Sequence, residues 1–241
     1  MVENDLEQAA GAALAKPPQR IMAITLNDGR RVWLKRIERL SLRLRIQKGD
    51  PTRAFGRERA GLMAFAESGL PVPEILLEGA DFLVLADAGP SLMGLLRDRG
   101  GPDAEVLRAF AAAGAGLGQV HRAGFSHGRP TPRDVCWDGR AARFIDLERF
   151  SPARHSPYWQ AWDVVIFVQS CFSHWPDDSR CADTMLAAYA QAAPEGARAR
   201  IATLAHRLGW LGRVSRLLSR LRPKSRELRA VSLTISRLTH L

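Results

Sequence analysis

Residues 127–150 read HGRPTPRDVCWDGRAARFIDLERF. A polar loop with two prolines runs from His127 to Arg133, and a short apolar run, Val135-Cys136-Trp137, follows Asp134. Asp138-Gly139 then marks a tight turn, because these residues tolerate the positive φ that such a turn requires, and a second short strand through Phe144-Ile145 ends at Asp146. A hairpin of this kind brings Asp134 and Asp146 together as oxygen donors for a hard cation such as Mg²⁺. Acids beside turns are also common as caps, so the spacing alone leaves both readings open.

Upstream, residues 21–36, IMAITLNDGRRVWLKR, place two β-rich runs around Asn27-Asp28-Gly29 and predict a hairpin. Leu40 to Asp50, LSLRLRIQKGD, alternates Leu with Arg and fits a strand or a helix start. Phe55, Leu62 and Phe65 then recur at helical spacing, so a helix begins near Thr52 and stops at Gly69. Leu70-Pro71-Val72-Pro73 must be extended. Residues 74–87, EILLEGADFLVLAD, read as two strands around Gly79-Ala80-Asp81, and Pro90-Ser91 opens a helical LMGLLRD.

Residues 103–122, DAEVLRAFAAAGAGLGQVHR, form a helix whose small residues suit close packing, and the chain from about Tyr158 is mostly helical. This order predicts an α+β protein in two lobes: a small strand-rich N-lobe over 1–88 and a helical C-lobe over 89–241 that carries the 127–150 loop. The cleft between such lobes is the default site.

The formal charge of +10 and 46% hydrophobic content describe a folded chain with an anion-favouring surface, which excludes disorder and collagen-like fibres. Only four of the 35 basic residues are lysines, so most of that charge sits on guanidinium groups suited to phosphate and carboxylate. Cys136, Cys171 and Cys181 form no paired framework, as expected of a reducing cytoplasm. His155, Cys171, His174 and Cys181 lack a recurring zinc spacing, and Cys171 reads as a small hydrophobe on an apolar helix face. The opening MVENDLEQAAGAALA is acidic where a secretory signal would be basic, and no run of about 20 apolar residues occurs, so a cytoplasmic protein is expected.

Taken together, residues 22–170 resemble the protein-kinase-like fold, and within it the bacterial lipopolysaccharide core kinases acting on heptose or 3-deoxy-manno-octulosonic acid, and the aminoglycoside and choline kinases. In these families a His-Gly-Asp or His-Arg-Asp loop is followed after four residues by Asn, and then by a strand ending in a metal-binding Asp. Here His127-Gly128 opens the loop, Asp134 stands at the Asn position, and Ile145-Asp146-Leu147-Glu148 resembles the Ile-Asp-Phe-Glu form of the metal motif.

The resemblance implies ATP and Mg²⁺ as cofactors, with Asp134, Asp146 and Glu148 as metal ligands. It also implies Lys35 on the α and β phosphates, Glu58 as the partner of Lys35, and Leu83 to Ala88, with Leu85 at its centre, as the hinge whose backbone bonds adenine. Asp163 would brace the catalytic loop, and His127 would fix it.

Two departures stand out. Arg129 occupies the place of the aspartate that accepts the substrate hydroxyl's proton, and an arginine cannot be that base. No G-x-G-x-x-G segment precedes Ile21, which leaves Arg30, Arg31 or another basic group to cover the phosphates. The expected activity is phosphoryl transfer to a sugar hydroxyl of a glycolipid, with a pseudokinase as the alternative that Arg129 favours.

Residues 205–241 hold nine basic residues and one acid, Glu227. Leu211, Val214, Leu218 and Leu221 share one helical face, and Arg213, Arg216 and Arg220 another. Such a helix either packs on its lobe with the arginines in solvent or lies peripherally on an anionic inner-membrane surface. No nucleic-acid recognition motif accompanies the charge, so nucleic acid is not an expected partner.

Overall fold

The computed structural model describes residues 2–38, 50–222 and 225–241. The reading of the Leu-Arg run lies outside these, except for Asp50. The described chain is α+β, in two compact units: residues 1–88 together with 145–149, and residues 89–144 together with 150–241.

The first unit is built on a four-stranded antiparallel sheet. Strands β1 (Ile21–Thr25) and β2 (Arg31–Arg36) pair through the Asn27-Asp28-Gly29 turn, where Gly29 has a φ of +83°. Strands β3 (Ile75–Glu78) and β4 (Phe82–Ala86) complete the order β1-β2-β4-β3. The amino-terminal helix α1 (Val2–Leu14) sets Leu6, Ala10 and Ala13 against Ile24, Val32, Leu34 and Val84. Sequence patterning does not announce this helix, because alanines at helical spacing give a weak hydrophobic signal until a sheet face is present to bury them.

Helix α2 (Pro51–Glu67) starts where the sequence places it. Pro51 supplies a preset φ, and the Asp50 carboxylate accepts the Thr52 N–H. Phe55, Leu62 and Phe65 form its buried stripe.

The second unit begins with α3 (Leu92–Asp98), capped by Ser91, and α4 (Ala104–Arg122), capped by the Asp103 carboxylate on Val106 N–H. A two-stranded ribbon of β5 (Val135–Trp137) and β6 (Ala142–Phe144) follows. Strand β6 stops at Phe144, so Ile145 and Asp146 lie past its end rather than in it. The remaining helices are α5 (Pro157–His174), α6 (Arg180–Ala192), α7 (Ala197–Arg207), α8 (Gly209–Leu221) and α9 (Arg226–Thr239).

The core of this unit joins α4, α5 and α6, with Phe110 edge-on to Phe167 at 6.1 Å between ring centres. Cys171 and Cys181 are buried in it, and burial pushes both thiols up, Cys181 to about 12, so neither is a reactive nucleophile at neutral pH.

Two glycines of α4 explain how closely α6 approaches. A Cβ at Gly114 would lie 2.1 Å from the Met185 carbonyl oxygen, and one at Gly118 would meet the Ala192 backbone at 2.8 Å. Gly114→Ala is therefore expected to destabilise the protein by about 1–3 kcal/mol, outweighing the roughly 1 kcal/mol that alanine gains in helix propensity. The shift of the urea midpoint at unchanged slope measures it, and an unchanged or raised midpoint would show that α4 and α6 separate without loss.

Candidate active site

In β2 the side chains alternate: Val32 and Leu34 enter the core under α1, which turns Trp33 and Lys35 to the opposite face. Glu58, 1% exposed on α2, meets Lys35 there, and the Lys35 ammonium pairs with the Glu58 carboxylate at 7% exposure of the lysine. Burial pushes the Glu58 carboxyl above its ordinary value, and the Lys35 charge pulls it down without cancelling that rise, while Asp146 and Glu148 add to it.

Two more acids complete the cluster. Carboxylate oxygens of Glu58, Asp146 and Glu148 all lie within 4.8 Å of one another. Asp146 has a φ of +61°, in the left-handed region that aspartate tolerates better than most residues. Its buried Oδ1 has no hydrogen-bond donor, and it faces two cations at 3.9 Å, Lys35 Nζ and an Arg20 guanidinium nitrogen.

Arg20 also pairs with the Glu148 carboxylate, and Arg57 Nε donates to the Glu148 carbonyl at 2.7 Å. Partial burial works against the charge of Arg20, but Glu148 and Asp146 outweigh it and hold the guanidinium above its ordinary value. The arrangement sets three carboxylates against Lys35 and Arg20, with an orphaned carboxylate oxygen in the middle. It is able to hold a hard cation on oxygen and a phosphate on the two basic groups.

Sequence reasoning missed Arg20. Its only signal is position: its carbonyl accepts the Arg36 N–H, which puts Arg20 beside the Lys35 end of the β1–β2 hairpin. Arg30 and Arg31, the basic groups named from the sequence, lie at the other end, where Arg30 pairs with Asp28 and Arg31 with Asp87. Leu85, named from the sequence as the centre of the hinge, lies in an inner strand opposite Trp33 on one side and Ile75 on the other. Of LVLADA, only Asp87 and Ala88 lie beyond the strand's end.

The second unit positions the 127–134 loop. Asp163, 1% exposed on α5, accepts the His127 N–H at 2.6 Å and the Gly128 N–H at 3.0 Å, so it braces the loop as the resemblance expects. His121 links Asp163 (3.3 Å) to the Tyr189 hydroxyl (2.8 Å), and burial, with Asp163 nearby, pushes that hydroxyl's pKa up. His127 is buried edge-on to Phe144, the setting of a loop-fixing residue.

Asp134 accepts the Thr131 N–H at 3.0 Å and the Thr131 hydroxyl at 2.7 Å. Arg129 is exposed, next to Gly128 with its φ of +99°. Lys35, Glu58, Asp146 and Glu148 thus converge within the first unit, while Asp134 and Arg129 belong to the second.

The Lys35–Glu58 pair gives a direct test. Glu58 binds its proton more tightly folded than unfolded, so its contribution to stability falls as pH rises through the window between its ordinary and raised values. Lys35→Met leaves that carboxylate buried without its partner and is expected to lower stability by about 3–5 kcal/mol at pH 8. The loss shrinks at pH 5, and adding Glu58→Gln recovers most of it and removes the pH dependence. Denaturant unfolding at the two pH values measures this; a pH-independent loss would contradict it.

No family model matches the chain. A curated Haemophilus influenzae protein, described as uncharacterized, is 26% identical over 170 residues, which is 70% of each chain. Among solved structures, WbdD in complex with the kinase inhibitor LY294002 is 16% identical over 75% of this chain and 47% of that one, with a TM-score of 0.45. The bifunctional kinase-methyltransferase WbdD is 14% identical over 71% and 42%, with a TM-score of 0.43. The chain spans less than half the length of these WbdD chains. The kinase-like α+β fold expected from the sequence is read from the chain's own elements: a strand lysine paired to a glutamate on the next described helix, a small antiparallel sheet, and a helical unit whose loop is braced by a buried aspartate.

Proposed function

We propose that the chain is an ATP-dependent phosphotransferase of the lipopolysaccharide-kinase type, which passes the γ-phosphoryl group to a sugar hydroxyl of a cell-envelope glycolipid. The observation that carries this reading is the buried Lys35–Glu58 pair beside Asp146, whose Oδ1 is buried without a donor. That oxygen and the Glu148 carboxylate fit Mg²⁺, a hard ion held by carboxylates and phosphates. When bound, the ion neutralises the charge of the phosphates.

The residues of the chain do the rest of the positioning. Lys35, held in place by Glu58, binds the α and β phosphates. Arg20 leaves Glu148 to cover the phosphates that a glycine-rich loop covers in other kinases. The acceptor class rests on the resemblance of residues 22–170 to the lipopolysaccharide core kinases. No described helix is long and apolar enough to cross a membrane.

Thermal unfolding with and without ATP and Mg²⁺ tests the site. A ligand at about 100 times its dissociation constant stabilises by about 2.7 kcal/mol, so a clear Mg²⁺-dependent rise in Tm is expected. Asp146→Asn keeps a side chain that tolerates the positive φ, and is expected to fold while losing the rise. Absence of a rise in the wild type would overturn nucleotide binding.

A pseudokinase is the second reading, favoured by Arg129 at the position of the base. A base contributes about 10²–10⁴-fold, yet phosphoryl transfer rests mainly on positioning and charge, so a slower enzyme is consistent with the arginine. Arg129→Asp separates the two. Transfer that appears only in the variant means the arginine has silenced the site, whereas transfer present in the wild type and lost in the variant means the arginine works in it.

A further inference from the structure

Eight large hydrophobic side chains are exposed among the described residues, and five of them, Trp210, Val214, Leu217, Leu218 and Leu221, lie on α8. At 100° per residue these five fall within an arc of about 100°. Exposure along this stripe reaches 56% at Trp210, 61% at Leu217 and 77% at Leu221. The helix packs on α9 by its small side, through buried Gly212 and Ser215, and a Cβ at Gly212 would already be 3.3 Å from Ile235.

Arg213, Arg216 and Arg220 are exposed along one edge of the stripe, and none of them pairs with a carboxylate among the described residues. The contrast with the neighbouring helix is informative, since Arg229 pairs with Asp177 and Arg237 with Asp183. An apolar stripe edged by unneutralised arginines needs a surface that is both apolar and anionic. A second copy presents the same arginine edge and the same formal charge of +10, so it repels where it should attract.

We infer that α8 lies in the plane of an anionic bilayer. Trp210, Leu217 and Leu221 sink into the boundary between headgroups and acyl chains, while Arg213, Arg216 and Arg220 meet lipid phosphates. Trp210, at the amino-terminal end of the stripe, suits the interface because its ring is large and apolar with one N–H donor. The docking surface belongs to the helical unit and stands whether or not the phosphotransferase reading holds.

Sedimentation of the full chain with vesicles tests it. Binding is expected to vesicles of equal parts phosphatidylcholine and phosphatidylglycerol, and not to phosphatidylcholine alone. Arg213→Gln, Arg216→Gln and Arg220→Gln together are expected to weaken binding about 100-fold, each basic residue near a charged surface contributing roughly fivefold. Leu217→Asp with Leu221→Asp is expected to abolish binding at unchanged Tm, since both side chains are already exposed. The inference is overturned by a wild type that stays in the supernatant, or by either set of substitutions leaving binding intact. It is also overturned by a self-association, seen in analytical ultracentrifugation, that the leucine substitutions dissolve, which would assign the face to a second copy.

Discussion

An ammonium and a carboxylate taken out of water together impose the main constraint on the amino-terminal unit. Lys35 and Glu58 are each less than a tenth exposed, and neither is tolerable there without the other. Their contact fixes the register of α2 against the sheet. Pro51, the Asp50 cap and the stripe of Phe55, Leu62 and Phe65 set where the helix starts and which side it buries, and these features leave Glu58 turned to the strand. A hydrophobic pair at these positions would pack the same elements, so the charged pair is better explained by what it presents than by what it stabilises.

What it presents is an electrostatic balance with one oxygen left over. Three carboxylates crowd within 4.8 Å, and Lys35 and Arg20 offset part of their repulsion. Asp146 Oδ1 sits between both cations at 3.9 Å with no hydrogen bond, an arrangement that gains from any added positive charge of small radius. The positive φ at Asp146 turns the chain so that Leu147 is buried while Glu148 reaches Arg20. In the helical unit, Asp163 uses both of its oxygens on the loop N–H groups, which ties a connection rich in proline and glycine to α5.

Much of this was legible in the residues because local chemistry decided it. Asn27-Asp28-Gly29 demands a turn, Asp103 and Ser91 cap helices, and paired strands leave Lys35 on the face of α2. Three features escaped for physical reasons. Helix α1 announces itself only weakly, since Ala10 and Ala13 are apolar enough to pack but too small to stand out. Arg20 acts through a partner 128 residues away, and no local pattern encodes such a pairing. The helical spacing of α8 showed an apolar face and a basic one, but which side met the protein depended on Gly212 and Ser215 fitting against α9.

The amino-terminal unit is not continuous along the chain, since residues 145–149 belong to it and residues 89–144 do not. During synthesis, β1 to β4 and α2 leave the ribosome well before Asp146, Leu147 and Glu148 exist. Until then Arg20 lacks Glu148, and Lys35 and Glu58 lack Asp146. The nascent sheet must wait, partly assembled, for a five-residue insert encoded more than fifty residues downstream. A chain cut after Ala88 is therefore an unfinished piece of this unit rather than a minimal domain.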